Sequence, residues 1–544
     1  MRKVLFAVLL AISCSKPKQP QLDLAESHDT SVTRELAADD GDGAAMSLDE
    51  GKMGKADGWG RQVAIQQARN AGILGSSTAD KPLDEAAGDT HKDHGKNPWT
   101  ETAKDRLSTF AADVDTASYT FARKQLESGA MPAHAAVRVE EFVNYFRYAF
   151  APPTANTPFS VVMEAAPSPL QPGRHIVRVA VATKPVAAGQ RKPAHLVFLV
   201  DVSGSMNEPD KLPLAKQALH VLTSNLREQD TVSLVTYAGS TRVVLEPTSA
   251  TPAGKTTIDR AIEALAAGGS TAMASGIDLA YARAVKQLHA DHISRVVVLS
   301  DGDANVGAHT HDEMLHLIEG RAKEGVTLST IGFGTGNYND ELMEQLADKG
   351  NGNNFYVDSL EQAKRVFTED LTANIEVVAK DVKLQVDFDP AFVARYRLVG
   401  YENRDIRDAD FRNDKVDAGE VGAGHQVTAL YEVELTAKGK QANAPIGAIR
   451  TRHKAPAGTQ AIETAFPMIG GPAATFAAAS ADFRFAFAVA AFADVLRGGQ
   501  DAEHWSLAAI RDIAKSAAGK SADRTQLVTL IERAMQLTGR TASR

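Results

Sequence analysis

HLVFLVDVSGS, residues 195–205, decides the fold. His195 to Asp201 is an apolar run closed by an acid. Such a run marks a central strand buried on both faces, because a half-exposed strand would alternate apolar with polar residues. RVVVLSD, residues 295–301, repeats the form. Between the two lie a helical period at Leu212 to Leu226, a strand at Thr231 to Tyr237, an edge strand at Arg242 to Leu245, and helices at Thr256 to Ala266 and Ala274 to Leu288. A helix at Asp312 to Glu324, a strand at Thr327 to Phe333, a helix at Asp340 to Ala347, a strand at Asn354 to Val357 and a helix at Leu360 to Leu371 follow. Strands alternating with helices at this spacing predict a doubly wound, mostly parallel α/β sheet over residues 193–375.

Outward from that domain the pattern changes. The N-terminal flank, residues 105–192, reads as helices and then strands: VRVEEFVNYFRY carries a helical apolar stripe, and Phe159 to Ala166 and His175 to Thr183 alternate as half-buried strands do. On the far side, residues 376–470 are β-rich, with strands at Asp381 to Phe388, Ala394 to Gly400 and His425 to Leu435. The two flanks are expected to pair into one β-sandwich, with the α/β domain inserted between them. Residues 471–544 form a C-terminal helical region. Its FRFAFAVAAFADVLRG run is apolar but broken by Arg484, Asp494 and Arg497, which reads as a buried amphipathic helix rather than a membrane span.

The chemistry lies at the carboxyl ends of the two buried strands, where an open α/β sheet binds its ligands. Asp201, Ser203 and Ser205 put an oxygen ligand at every second residue, and Gly204 permits a tight bend between the serines. Gly268-Gly269-Ser270-Thr271 supplies a further hydroxyl from a third loop, and the second strand ends in Asp301. Two carboxylates and three neutral hydroxyls make a hard-oxygen set suited to Mg²⁺ or Mn²⁺, with room left for water and an outside ligand. Asp303 is read as a brace of its loop, and Glu208 and Asp210 as caps of the following helix. The paired histidines His91/His94 and His309/His311 lack the companions of a zinc site and read as solvated loop residues.

D-x-S-x-S at Asp201, Ser203 and Ser205, with Thr271 and Asp301 downstream, resembles the metal-ion-dependent adhesion site of von Willebrand factor A domains, which have a Rossmann-like sheet. The resemblance implies that Ser203, Ser205 and Thr271 ligate the ion directly or through water. It implies that Asp201 and Asp301 supply negative charge, partly by accepting hydrogen bonds from metal-bound water. TFAADVDTASYTFARKQL, VRVEEFVNYFRY, RLVGYENR and DAGEVGAGHQVTALYEV are similar to segments flanking the A domain in bacterial lipoproteins of the YfbK type. The chain departs from that family at Ala166-Pro167-Ser168-Pro169, where relatives carry a Cys-Pro-Trp-like turn.

The N-terminus adds location. Arg2 and Lys3 precede an apolar run from Val4 to Ile12 that is too short to span a bilayer, and Ala11-Ile12-Ser13-Cys14 follows. This resembles a lipoprotein signal over residues 1–14, with Cys14 the lipidated residue; a plain secretory signal with an incidental cysteine is the alternative. Either way the chain is expected in the cell envelope, facing the periplasm or exterior. Residues 15–104, poor in aromatic and β-branched residues, read as a tether, with one short helix at Arg61 to Leu74.

Composition excludes several classes. A formal charge of −9 over 544 residues, with no basic patch, argues against nucleic-acid binding. No P-loop, glycine fingerprint or G-x-S-x-G elbow is present, so the chain is expected not to be an enzyme. The expected function is metal-dependent adhesion to a protein partner through its exposed Asp or Glu. A scaffold with a purely structural metal stands as the alternative, and a metal-dependent hydrolase or transferase ranks behind both.

Overall fold

The computed structural model describes residues 88–153, 157–302, 311–416, 418–441, 443–468, 470–499, 502 and 505–539. Cys14, Arg61 to Leu74, Asp303 and His309 lie outside the described residues. In chain order the first elements are strands Thr100–Glu101 (β1) and Leu107–Ala111 (β2), helices Ala117–Ser128 (α1) and Val139–Tyr145 (α2), and strands Phe159–Pro167 (β3) and His175–Thr183 (β4). The α/β domain follows with Ala194–Asp201 (β5), Leu212–Asn225 (α3), Thr231–Tyr237 (β6), Thr241–Ser249 (β7), Pro252–Glu263 (α4), Met273–Lys286 (α5), Ile293–Ser300 (β8), His311–Lys323 (α6), Val326–Gly332 (β9), Asp340–Lys349 (α7), Asn354–Tyr356 (β10), Leu360–Lys364 (α8) and Leu371–Ile375 (α9). The chain then returns as strands Val377–Phe388 (β11), Val393–Val399 (β12), Val421–Gly422 (β13), Gln426–Leu435 (β14), Gly447–Lys454 (β15) and Ala461–Pro467 (β16), and ends in helices Ala481–Leu496 (α10), Leu507–Ala517 (α11) and Ala522–Thr538 (α12).

The six-stranded sheet runs β10-β9-β8-β5-β6-β7, parallel throughout except for β7. β5 is buried along its whole length, and its two faces serve two cores. Leu196, Phe198 and Val200 pack with Leu219 and Leu222 of α3 and with Ile258 and Ile262 of α4. Val197 and Leu199 pack with Ile277 and Tyr281 of α5, Ile318 of α6 and Leu346 of α7. Each such fully buried side chain contributes about 2 kcal/mol relative to exposure. The chain leaves β5 towards β6 and β7, then returns to the other side of β5 for β8, β9 and β10. The direction therefore reverses between β5 and β8.

The flanks do interleave. One antiparallel sheet is ordered β1-β12-β14-β4-β3 and the other β13-β11-β15-β16, with β2 also paired to β11. Both sheets mix strands from before and after the inserted domain, and Phe110, Val177, Val179, Leu384, Val386 and Tyr431 share their core. β2, β15 and β16 go beyond the strands expected from sequence. β16 alternates between intermediate and exposed positions, so it carries little apolar signal. The helices α1, α2, α10, α11 and α12 form a separate apolar core around Phe142, Phe146, Phe485 and Ile510. α10 is buried on nearly every face, as its composition predicts, and no described helix is long and apolar enough to cross a membrane.

Three expectations are corrected. Residues 88–104 fall within the expected tether, yet the segment is anchored: the Asn97 amide donates to the carbonyls of Leu398 and Gly400, and the Trp99 ring lies against Arg174 and Arg395. Trp99 is the one aromatic of this polar stretch, and hydrogen bonds from Asn97 and to Asp89 hold it as well. His91 is not solvated; it is enclosed, 3.5 Å from Asp340 and against the Phe121 ring. The helix expected over Leu360 to Leu371 is interrupted by a π-helical turn at Arg365–Glu369, where the Asp370 amide reaches back to the Arg365 carbonyl.

Buried ion pairs join the inserted domain to its flanks. Arg138 binds Glu141, Asp340 at 2.6 Å and Glu344 at 3.3 Å. Arg404 spans Asp113 and Asp115 on one side and Glu344 and Asp348 of α7 on the other. Removing one side of a buried pair strands the other charge, at about 3–5 kcal/mol. Arg404→Met is therefore expected to lower unfolding free energy by about 3 kcal/mol or more. Urea denaturation of variant and parent would read this, and a loss below 1 kcal/mol (roughly the value of a surface pair) would show the cluster to be solvated.

Candidate functional site

The register of the two central strands sets the site. Val200 of β5 is paired with Leu299 of β8, so Asp201 and Asp301 leave adjacent strand ends at the point where the winding reverses. Both carboxylates are fully buried, and Ser203 is 1% exposed. The Asp201 carboxylate is held at both oxygens: the Ser203 backbone N–H donates to Oδ1 at 2.9 Å and the Ser300 hydroxyl to Oδ2 at 3.0 Å. Burial pushes its pKa up to about 6, Ser203 and Ser300 hydrogen bonds oppose the rise, and the neighbouring Asp301 charge adds to it.

The serine loop turns as the spacing implies, by a different device. Ser203 is extended, and Gly204 opens a 3₁₀ turn over Gly204–Asn207 without a left-handed backbone. The Ser203 and Ser205 hydroxyls end 3.0 Å apart. The third loop is tied to the first: the Gly204 amide donates to the Gly269 carbonyl at 3.0 Å and the Gly268 amide to the Val202 carbonyl at 2.8 Å. Gly269 is the glycine the loop requires. Its φ is +89°, and a Cβ there would stand 3.3 Å from the Gly239 amide nitrogen. Thr271, 7% exposed, follows it, and its hydroxyl forms no hydrogen bond among the described residues.

All five predicted residues thus lie on three loops that are hydrogen-bonded to each other or leave adjacent strands. Among the described residues no cluster of three or more His, Cys, Asp or Glu is arranged to hold a metal ion. Any cation here would depend on hydroxyls as well as carboxylates. The donor set fits that demand, since the Thr271 hydroxyl is unengaged and the two serine hydroxyls turn towards each other.

Four neighbours escape a reading of the sequence. Ser300 braces Asp201, and Tyr237 buries its ring beside it, with its hydroxyl pKa raised by burial and by the Asp201 charge. Lys211 Nζ lies 3.0 Å from Asp301 Oδ2, and the Asn337 amide donates to the same oxygen at 3.1 Å. Periodicity cannot flag a lysine just ahead of a helix or an asparagine in a long loop. The expected caps are absent: α3 has no side-chain cap, and Asp210 instead lies 3.6 Å from Lys124. The Asn337 loop also receives the start of the described chain, because Asp89 accepts from the Gly336 and Tyr338 amides.

A doubly wound sheet carrying such loops at its switch point defines a von Willebrand factor A-type domain. Residues 195–369 match the family described as von Willebrand factor type A domain, residues 85–178 the one described as von Willebrand factor, and residues 373–537 the one described as Uncharacterized protein YfbK, C-terminal. The Uncharacterized protein YfbK of Escherichia coli (strain K12) is 38% identical over 463 residues, covering 80% of this chain and 79% of its own. The chain belongs to the YfbK-type family of bacterial von Willebrand factor A proteins. A Synechocystis protein, sll0103, is 30% identical over 193 residues, or 36% of this chain and 44% of its own. Among solved structures, a von Willebrand factor type A protein from Catenulispora acidiphila overlaps 72% of this chain and 88% of its own at 18% identity, with a TM-score of 0.40.

The raised Asp201 pKa has a consequence for stability. A carboxyl whose folded pKa lies above its unfolded value binds more protons when folded, so stability falls as pH rises from about 4 to 6 and stays lower above. Asp201→Asn removes that penalty, and the Ser300 hydroxyl can accept from the new amide. In chelator at pH 8 the variant is expected to be about 3 kcal/mol more stable than the parent, with the advantage vanishing below about pH 4. Denaturant titrations at the two pH values measure it; equal stability at pH 8 would mean that Asp201 is compensated.

Proposed function

We propose that this chain is a non-enzymatic adhesion or assembly protein of the bacterial cell envelope that grips an acidic side chain of a protein partner through a divalent cation. Domains of this type mediate protein–protein interaction in general and often bind a divalent metal. The single observation that carries the finer reading is the clustering of Asp201, Ser203, Ser205, Thr271 and Asp301, with the Asp201 carboxylate fixed at both oxygens by Ser203 and Ser300. In this reading Ser203, Ser205 and Thr271 hold Mg²⁺ or Mn²⁺ directly or through water, and Asp201 and Asp301 act through its bound water. Neutral hydroxyl ligands leave most of the ion's charge uncancelled, which makes it receptive to a further carboxylate.

The lipid anchor belongs to the same proposal. Its support is the basic, apolar and small-residue run ending at Cys14, which would hold the chain to a membrane surface. The scaffold reading differs at one point, since its cation would accept no ligand from outside.

Calorimetric titration of the full chain with Mg²⁺ and Mn²⁺, beside Asp201→Ala, tests the site. Binding to the parent and its loss in the variant are expected, together with partner capture that chelator abolishes. Undiminished capture by Asp201→Ala would sink the adhesion mechanism.

A further inference from the structure

Lys211 is the feature of this region that the proposed function does not absorb. Its side chain is 5% exposed, and its ammonium sits 3.0 Å from Asp301 Oδ2 and 2.5 Å from Asn337 Oδ1. Asn337 in turn donates to the same Asp301 oxygen, so lysine, asparagine and aspartate close a hydrogen-bonded triangle. The backbone is shaped around the lysine. Gly334, with φ at +73°, lies so close that a Cβ there would stand 2.4 Å from Lys211 Cγ. Burying an ammonium costs several kcal/mol unless a charge and hydrogen bonds compensate it. Here the compensating charge is a predicted residue of the cation site.

We propose that Lys211 sets the charge of the cation site, weakening its hold on the metal so that the bound ion keeps its attraction for a partner's carboxylate. The inference rests on the reading of the cation site given above. Asp201 and Asp301 are both buried, and among the described residues one ammonium against these two carboxylates leaves a single negative charge. A divalent ion turns that into a single positive charge. Without the lysine the two buried carboxylates would offset more of the ion's charge across the site as a whole, and an incoming carboxylate would gain less from long-range attraction. The lysine also keeps one oxygen of Asp301 occupied, which turns that carboxylate away from full engagement with a metal. A mere structural brace would act in the opposite direction, because its loss would disorder Asp301 and weaken metal binding.

The test uses the full chain, Mn²⁺ as the metal and acetate as the carboxylate probe. Calorimetry and the electron paramagnetic resonance signal of free Mn²⁺ give the metal affinity; acetate titrated into the Mn²⁺-loaded protein gives the affinity for the further ligand. Lys211→Met is expected to bind Mn²⁺ about tenfold more tightly or better and acetate at least about tenfold more weakly. Asn337→Asp leaves the lysine in place and cancels its charge, so it is expected to shift both affinities the same way; it decides the matter if Lys211→Met does not fold. Weaker or unchanged Mn²⁺ binding in these variants, with the parent binding normally, overturns the charge-setting role and leaves the cation site standing. If the parent does not bind Mn²⁺, or Asp201→Ala binds it equally well, the cation site fails and this inference with it.

Discussion

A strand with apolar side chains on both faces has one stable place, the middle of a sheet covered by helices on either side. β5 is that strand, and most of the molecule follows from it. Its two faces require two layers of helices, which the alternation of Leu196, Phe198 and Val200 with Val197 and Leu199 divides between separate cores. With helices on both sides, right-handed crossovers must leave β5 in one direction and return in the other. The reversal opens a crevice beside the carboxyl end of β5. The crevice opens that apolar layer to polar loops, and there the chain places two aspartates and a serine-rich turn.

This logic explains why the sheet and its loops are legible from sequence while their surroundings are not. HLVFLVD and RVVVLSD announce themselves because burial on both faces keeps the middle of each run apolar; Asp201, Ser203, Ser205 and Asp301 stand at or just past the strand ends, and Thr271 comes from a third loop ahead of a helix. The π-helical turn at Arg365–Glu369 gives no such signal, because its side chains still follow a broadly helical period. β16 escapes for the opposite reason, as an edge strand needs few apolar residues. Lys211, Ser300 and Asn337 act through contacts between loops distant in sequence. The register that brings Val200 opposite Leu299 sets Ser300 beside Asp201, and the pairing of Ser300 with Gly332 brings the loop after β9, with Asn337, to the same end of the sheet.

The flanking segments show a different economy. TFAADVDTASY, VRVEEF and YENR carry charges of the kind that folded proteins mostly leave exposed. The structure buries them together, with Asp113, Asp115, Glu141, Asp340 and Glu344 around Arg138 and Arg404. Carboxylates outnumber the guanidinium groups, and burial raises the pKa of Glu140 to about 7 and of Glu141 to about 8. A hydrophobic seam would have joined domain and flank with less strain on the charges. The ionic seam joins them through directional contacts instead: Arg138 holds Asp340 and Glu344 of α7, and Arg404 holds Glu344 and Asp348.

These two systems meet at one loop. The residues between β9 and α7 carry Asn337, which holds Asp301 and Lys211, and they lead directly into Asp340, which pairs with Arg138. The same loop donates its Gly336 and Tyr338 amides to the Asp89 carboxylate at the start of the described chain. Asp301 is thus two hydrogen bonds from the entering chain and a few residues from the ionic seam. The inserted domain is joined covalently to its flanks through the segments preceding β5 and following α9. Its contacts with Asp89 and Arg138 form beside the crevice, on the loop that completes it. A site placed this way has its geometry fixed by the whole assembly, because the loop that orients Asp301 is held by parts of the chain outside the sheet.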